Sequence, residues 1–377
     1  MKFNKWTLGL AAVGAVSMAS AVRADEAPKM SVLNTALSST TLSGYVDVGV
    51  TYATGNQSPE DSSIPAGIAN IDRFSLNDVD IALDKPLDAT AWSAGYHVEF
   101  NAGAQAVGTS GFGAEAGIRQ AYIALNTPLG SGIQWKAGVQ DDIIGYEGNT
   151  DGSNPNYSRS YGYFIEPTTL LGLTGTYQFC SAVSLTVGMA NPLSFEQSEA
   201  SDFDYVGALN LTAPDSWGFL KGATASIGMV GNFDNGGKQN YYAGVTVPTP
   251  CSKLKVGAAV DFVSLNNKHD SGGLNGDSGE VFGLYSTFAA TDKLSFNARA
   301  EYFNLSDLPS FYGLNPYGNG TQNNGYELTG TVQYNLWANV TSRAEFRWDH
   351  VEHGEAFGDA TPYQNDFTLA LNLIYTF

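Results

Sequence analysis

The sequence predicts an all-β fold, a transmembrane antiparallel β-barrel, and three observations carry that expectation. The last eleven residues alternate without a break: Phe367, Leu369, Leu371, Leu373, Tyr375 and Phe377 fall on one side of an extended chain, and Thr368, Ala370, Asn372, Ile374 and Thr376 on the other, because successive side chains of a strand point to opposite faces. A soluble sandwich could bury such a strand, but a terminal apolar stripe of this length suits the last strand of a barrel, with one face toward lipid and one toward a wet lumen. The amino-terminal residues read as a secretory signal peptide. Lys2 and Lys5 precede an apolar run, Leu8 to Met18, that is too short to span a bilayer, and Val22-Arg23-Ala24 resembles a small-x-small cleavage site. No later apolar stretch is long enough for a membrane helix, so an exported chain of this kind is either soluble or a barrel whose membrane signal is spread over short segments.

Composition favours the barrel. Forty-three Gly, twenty Phe, twenty Tyr and only 15% charged residues suit tight turns, interfacial aromatic girdles and an apolar belt better than an ordinary soluble surface. The acidic balance argues against nucleic acid as a partner, since its binding depends on Lys and Arg clusters. Residues 1–24 are the expected signal peptide, 25–39 a periplasmic segment, and 40–377 a single β-barrel domain. Cleavage after Ala24 removes 24 of 377 residues, leaving 353; the loss of Lys2, Lys5 and Arg23 moves the formal charge from −19 to −22.

Alternation recurs along the mature chain. Trp92, Ala94, Tyr96, Val98 and Phe100 oppose Ser93, Gly95, His97, Glu99 and Asn101, and Val340 to Trp348 opposes a face carrying Arg343, Glu345, Arg347 and Asp349. Segments of this kind begin near Thr41, Arg73, Trp92, Gly117, Ile133, Thr168, Ala182, Asp202, Lys221, Asn240, Ser252, Glu280, Leu294, Gly325, Val340 and Phe367, which makes sixteen. Short turns such as Thr127 to Ser131 and Asn335 to Ala338 alternate with longer polar connections such as Ala53 to Asp72 and Leu305 to Gln322. Turns on the periplasmic rim and loops outside are the barrel pattern, and an even strand number closes the sheet and removes its edges. The segments around Phe74 and Lys221 alternate poorly, so fourteen or eighteen strands stay open.

Several motifs resemble one family. Gln120-Ala121-Tyr122-Ile123, Lys136-Ala137-Gly138, Gly145-Tyr146-Glu147 and Asn154-Pro155-Asn156-Tyr157-Ser158-Arg159-Ser160, together with Leu42-Ser43-Gly44-Tyr45-Val46-Asp47 and the Lys85-Pro86 turn, are similar to the OmpL-like β-barrel porin-2 family. The likeness runs from about Gly44 to the carboxyl terminus and is densest from Gln120 to Gln178. The resemblance implies an outer-membrane diffusion channel of a Gram-negative type cell.

A sixteen-stranded barrel encloses more space than its own side chains fill. The longest connection, 141–167, is the third long loop and holds Tyr146, Tyr157, Tyr161, Tyr163 and Phe164, side chains suited to packing on an inner wall. It is expected as an inward constriction loop, with a wholly external loop as the alternative. Its acids Asp141, Asp142, Glu147 and Asp151 would then face the inward basic residues Arg119, Lys136, Arg299, Arg343 and Arg347, and opposed charges in a narrow wet pore set up a transverse field. The competing account is local ion pairing along the wall, of Glu99 with His97, Glu301 with Arg299, and Glu345 with Arg343 and Arg347. Ten inward acids, Asp47, Asp78, Asp80, Glu99, Asp204, Asp261, Glu301, Glu327, Glu345 and Asp349, outnumber six inward bases, those five and Lys255. A weak cation preference follows.

Tyr375 and Phe377 are the expected assembly signal, because their rings end the lipid-facing stripe. Cys180 and Cys251 fall in turns four strands apart, roughly 20 Å at about 5 Å per strand, beyond disulfide reach, so free thiols are expected. No enzyme reading is supported: His350-x-x-His353 lacks the helix and spacing of a zinc hydrolase, and Asp270 to Glu280 misses the calcium-loop pattern at Leu274 and Asn275. No cofactor or metal is expected. The expected partners are outer-membrane lipid and lipopolysaccharide, the barrel assembly machinery and small hydrophilic solutes, with a homotrimer as the open oligomeric option. Two further readings remain, a substrate-specific channel using Tyr45, Tyr242, Tyr285 and Phe303 as a sugar slide, and an adhesive or structural barrel with a plugged lumen.

Overall fold

The computed structural model describes residues 39–53, 73–88, 91–106, 109–110, 116–191, 203–232, 237–266, 275–305, 324–352 and 364–377. The signal peptide assigned to 1–24, nearly all of segment 25–39, His353 and most of the other long connections lie outside the described residues. Seventeen strands form one sheet: β1 (Thr41–Ala53), β2 (Arg73–Lys85), β3 (Ser93–Ala102), β4 (Thr109–Ser110), β5 (Ala116–Thr127), β6 (Ile133–Asp141), β7 (Thr169–Cys180), β8 (Val183–Ala190) and β9 (Asp204–Thr212), followed by β10 (Thr224–Asn232), β11 (Gly237–Pro248), β12 (Leu254–Asn266), β13 (Asn275–Ala289), β14 (Leu294–Asn304), β15 (Asn324–Trp337), β16 (Val340–Val351) and β17 (Asn365–Thr376). All described pairings are antiparallel. Because β1 pairs with both β2 and β17, the sheet closes on itself, and no edge is left to template another chain.

Sixteen of these strands make the wall, as the sequence predicts. The seventeenth, β4, is a two-residue spur that pairs with β5, too short to carry a periodicity. Closure is sealed at the carboxyl terminus, where Gly44 N donates to Phe377 O at 3.1 Å and Phe377 N to Gly44 O at 2.9 Å. Two strands that alternate poorly have local causes. In β2 the register slips between Asp47 and Val48 of the partner strand, so Asn77 and Asp78 are both buried inward, the two-against-one arrangement of a β-bulge. The strand expected near Lys221 begins at Thr224 instead. Its turn is longer, a 3-10 segment Asp215–Leu220 closed by Gly222 N donating to Ala213 O at 3.0 Å. Similarly, β13 begins at Asn275, so the loop expected up to Gly279 is shorter and the end of the acidic Asp270 to Glu280 stretch is strand.

The alternation sorts side chains as a barrel in lipid requires. Leu369, Leu371, Leu373 and Tyr375 are exposed, whereas Asp366, Thr368, Ala370 and Ile374 between them are buried. The outward face is therefore apolar and open, and the inward face is polar and covered by something inside the ring.

Candidate functional site: the loop within the barrel

What covers the inward face is the connection between β6 and β7. It carries a 3-10 turn, Asp151–Ser153, and a five-residue helix, Tyr161–Ile165. Ser160 caps that helix by accepting from Tyr163 N at 2.9 Å, which satisfies an amide that the first turn leaves open. The loop bonds to strands around the whole ring. Its partners are Asn77 in β2, Arg119 in β5, Asn240 and Thr246 in β11, Asn297 in β14, Thr331 in β15 and Glu345 in β16. A segment that meets a closed ring on all these sides lies within it.

Local sequence explains the fit. Gly228 and Gly257 leave dimples in the inner wall: a methyl group at Gly228 would strike Ile144, and one at Gly257 would strike the Tyr146 hydroxyl. Tyr146 stacks on Tyr285 with ring centres 3.8 Å apart, and Tyr161 on Phe303 at 3.9 Å. Ile144, Tyr146, Leu170, Val206, Val230 and Tyr285 form one dry cluster, and Tyr161, Ile165, Val263, Phe303, Leu305 and Val351 another. Each buried ring or branched side chain contributes roughly 1.5–3 kcal/mol relative to exposure. The loop is thus seated by an apolar core of its own. Tyr45 donates to Asp78 at 2.5 Å, and together with Tyr242, Tyr285 and Phe303 it is buried, so the four aromatics considered for a sugar slide hold structure and present no open face.

The wall of β14 to β16 grips the loop by its main chain. Glu345 accepts from Tyr157 N at 2.5 Å and Ser158 N at 2.9 Å, and Glu301 from Tyr161 N at 2.8 Å. Arg343 donates to Asp151 O at 3.0 Å and Asn156 O at 3.2 Å, Arg347 to Arg159 O at 2.7 Å, and Arg299 to Ser158 O at 2.8 Å. Hydrogen bonds to charged groups are the strong ones, and here carboxylates meet amides while guanidinium groups meet carbonyls.

The four loop acids occupy unlike places. Asp141 ends β6 and accepts from Arg119 at 2.8 Å and from Asn149 at 2.9 Å. Glu147 accepts from Arg299 at 2.7 Å and from Ser160 N at 2.7 Å. Asp151 pairs at 2.6 Å with Arg159 of the same loop. Among the described residues Asp142 meets no arginine; one of its oxygens accepts from Ile143 N at 2.7 Å, and burial pushes its carboxyl well above the ordinary range. The sequence reading set these acids across a gap from the arginines. The contacts correct that picture, because Asp141 and Glu147 touch their arginines directly.

The basic residues separate as clearly. Arg119 also reaches Glu99 at 3.1 Å and Asp80 at 3.5 Å, Arg299 reaches Glu327 at 3.1 Å and Glu301 at 3.6 Å, and Arg347 reaches Asp349 at 2.7 Å. Of the wall pairs considered from the sequence, Glu99 with His97 at 3.4 Å and Glu301 with Arg299 form. Glu345 instead takes loop amides. Lys136 stands apart, its ammonium 4.6 Å from the centre of the Tyr122 ring. Tyr375 and Phe377 lie on the outward face with ring centres 6.4 Å apart. Cys180 and Cys251 are free and exposed, and His350 bonds Asn365 at 3.0 Å. Sequence reasoning did not single out Arg159 or Glu166 as site residues. Arg159 lies inside the Asn154 to Ser160 motif, and its basic charge in an acidic loop was the signal available.

The comparisons agree with this architecture. A family model described as Putative beta-barrel porin-2, OmpL-like, matches residues 39–377. Among solved structures, the outer-membrane expressed OmpT of Vibrio cholerae aligns with 92% of this chain and 100% of its own at 12% identity and a TM-score of 0.60, and that protein also matches in a trimer form. The outer membrane channel DcaP of Acinetobacter baumannii aligns over 90% of this chain and 97% of its own at 13% identity and a TM-score of 0.61. An anion-selective porin from Comamonas acidovorans aligns over 90% and 99% at 9% identity and a TM-score of 0.59. No curated protein sequence matches. With the family match spanning the whole described barrel, the chain belongs to the OmpL-like β-barrel porin-2 family and is an outer-membrane porin.

Proposed function

We propose that the barrel is a passive diffusion channel for small hydrophilic solutes and ions, narrowed by the 141–167 loop and weakly cation-selective. The observation that carries this reading is the loop's seat within the ring, held on one side by Glu147 with Arg299 and on another by Asp141 with Arg119. A closed barrel of sixteen wall strands leaves space that such a loop reduces. The acid surplus on the inward face and in the loops supports cation preference, because carboxylates concentrate counter-ions near a pore mouth. Ion-pair contacts temper that preference by removing much of the transverse field. No enzymatic role is part of the reading.

Assembly is proposed to depend on Tyr375 and Phe377, recognised by the barrel assembly machinery as the end of the closing strand. Outer-membrane lipid surrounds the apolar face, lipopolysaccharide borders the loops, and a homotrimer is the assembly to test by native mass. Single-channel recording of the purified protein under a salt gradient tests the function: discrete conductance with a reversal potential on the cation side supports it. A silent protein would instead support a structural barrel whose loop is a plug.

A further inference from the structure

We propose that Lys136 sets charge discrimination in the lumen, engaging chloride or the carboxylate of a small organic anion as it passes along the wall of β3, β5 and β6. This rests on the channel reading above and goes beyond it by naming one residue and the solute charge it meets.

The inner wall carries two kinds of cation. Arg119 lies within 3.5 Å of three carboxylates, Arg299 within 3.6 Å of three, and Arg347 within 3.9 Å of two. A charge in contact with its counter-charge acts at a distance as a dipole, so its influence on a passing ion falls faster than that of a lone charge. Lys136 is of the second kind: Asp141 and Asp84 act on it electrostatically, but neither lies in ion-pair contact with it among the described residues. Its ammonium rests over Tyr122, and a cation–π contact positions a cation without setting a counter-charge against it.

The neighbourhood holds that charge in place and leaves it partly exposed. Ala124 faces Lys136 across the β5–β6 ladder, and His97 faces Tyr122 across β3–β5. The His97 and Tyr122 rings stack 5.2 Å apart at 15°, and His97 is held by Asp84 at 3.2 Å and Glu99 at 3.4 Å. The ring is thus braced from β3 while Lys136 approaches it from β6. Tyr122, Gln134, Lys136 and Thr176 are all partly exposed, whereas the Arg299, Glu327 and Arg347 side chains are sealed at 0% exposure. The lysine is therefore left partly exposed where the buried arginines are not.

The test is the potassium-to-chloride permeability ratio, read from reversal potentials in planar bilayers. Lys136→Gln is expected to raise the ratio about threefold, because a charge outside ion-pair contact in a confined passage acts strongly on permeating ions, and Lys136→Arg to keep the parent value. In a Cys180→Ser, Cys251→Ser background, Lys136→Cys should behave as the Gln variant, and a methanethiosulfonate reagent bearing an ammonium group should restore the parent ratio. A neutral reagent of similar size should not. Equal restoration by both reagents, or an unchanged ratio in Lys136→Gln, would overturn the proposal and leave the channel reading standing. A parent protein without conductance would overturn the channel reading and this proposal with it.

Discussion

Two stretches of the same inner wall carry similar residue types and do different things. Along β14 to β16, arginine and glutamate alternate and are buried under the loop, every charge engaged by another charge or by loop main chain. Along β3, β5 and β6, His97, Tyr122 and Lys136 form a row that stays partly open. The difference is made by the loop, which settles on the first stretch and leaves part of the second uncovered. The weight of an inward charge on selectivity therefore depends on its contacts. On the proposal above, the buried pairs hold the loop and the partly exposed lysine acts on passing ions.

The strongest way to break this comparison is to remove the cover. Deleting Gly148 to Asn154 takes away Asn149, Asp151 and the anchor that Arg343 makes to Asp151 O, while the closed ladder of sixteen wall strands remains. Loops add little to that ladder. Conductance should rise severalfold and larger solutes should pass, with heat-modifiable mobility unchanged. Equal conductance and size cutoff would place the constriction elsewhere on the wall.

A single side chain can loosen the same contact. Arg299→Ala leaves Glu147, Glu301 and Glu327 buried together without their shared cation, and breaking one side of a buried pair costs about 3–5 kcal/mol. That exceeds what any single remaining loop hydrogen bond contributes, at about 1 kcal/mol, and it falls on the loop where Glu147 and Ser158 meet the wall. The loop should detach part of the time, giving a noisier and larger single-channel current, and protease added to the purified protein should cut between Gly148 and Ser160. Lys136→Gln, by contrast, should leave both the noise and the cleavage unchanged. If the two substitutions produced the same noise, the division between a structural wall and a selective wall would fail.

Phe377→Ala strikes neither stretch. Its backbone bonds to Gly44 persist, but the aromatic ring that closes the outward stripe is lost. The yield of folded protein in membranes should fall, while molecules that do fold conduct as the parent does. A normal yield would remove the assembly role of the terminal aromatics.

The barrel was legible because each wall strand repeats every two residues, and a single register decides which face is apolar. Even Phe367 to Phe377 alone reveals an inside and an outside. The loop's inward seat was suggested by its tyrosines, since a solvated loop has no need of five aromatics between residues 146 and 164. Its partners were not legible. Whether Glu345 would pair with Arg343 or accept Tyr157 N depends on where a segment nearly two hundred residues earlier comes to rest, and periodicity carries no such information. For the same reason Lys136 and Arg299 looked alike as inward bases. The misplaced start of β10 has a simpler cause, since Trp217 and Phe219 in a rim turn blur the boundary between girdle and strand.

The smallest expected effect lies at the foot of the loop, where the covered wall should respond to pH. Glu166 is buried, and burial, followed by the neighbouring Asp261 carboxyl, pushes its own carboxyl well above the ordinary range. The groups facing it are Asp261 from β12, Asp142 and Glu147 from the loop, and Lys238 from β11. A carboxyl raised in the docked loop holds its proton more tightly there than in a released loop, whose Glu166 is hydrated and ordinary. Docking is then strongest below the released-state pKa, in the ordinary carboxylate range, and weakens as pH rises from there to the docked-state pKa, because ionising the buried group is unfavourable only in the docked state. Raising the pH should increase brief openings above the resting conductance, and Glu166→Gln, which stays neutral throughout, should flatten that dependence. The Lys136 wall has no part in this step, so the permeability ratio of the resting level should keep its value across the same range. An identical pH profile for the parent and Glu166→Gln would show that the loop's seat is insensitive to this carboxyl.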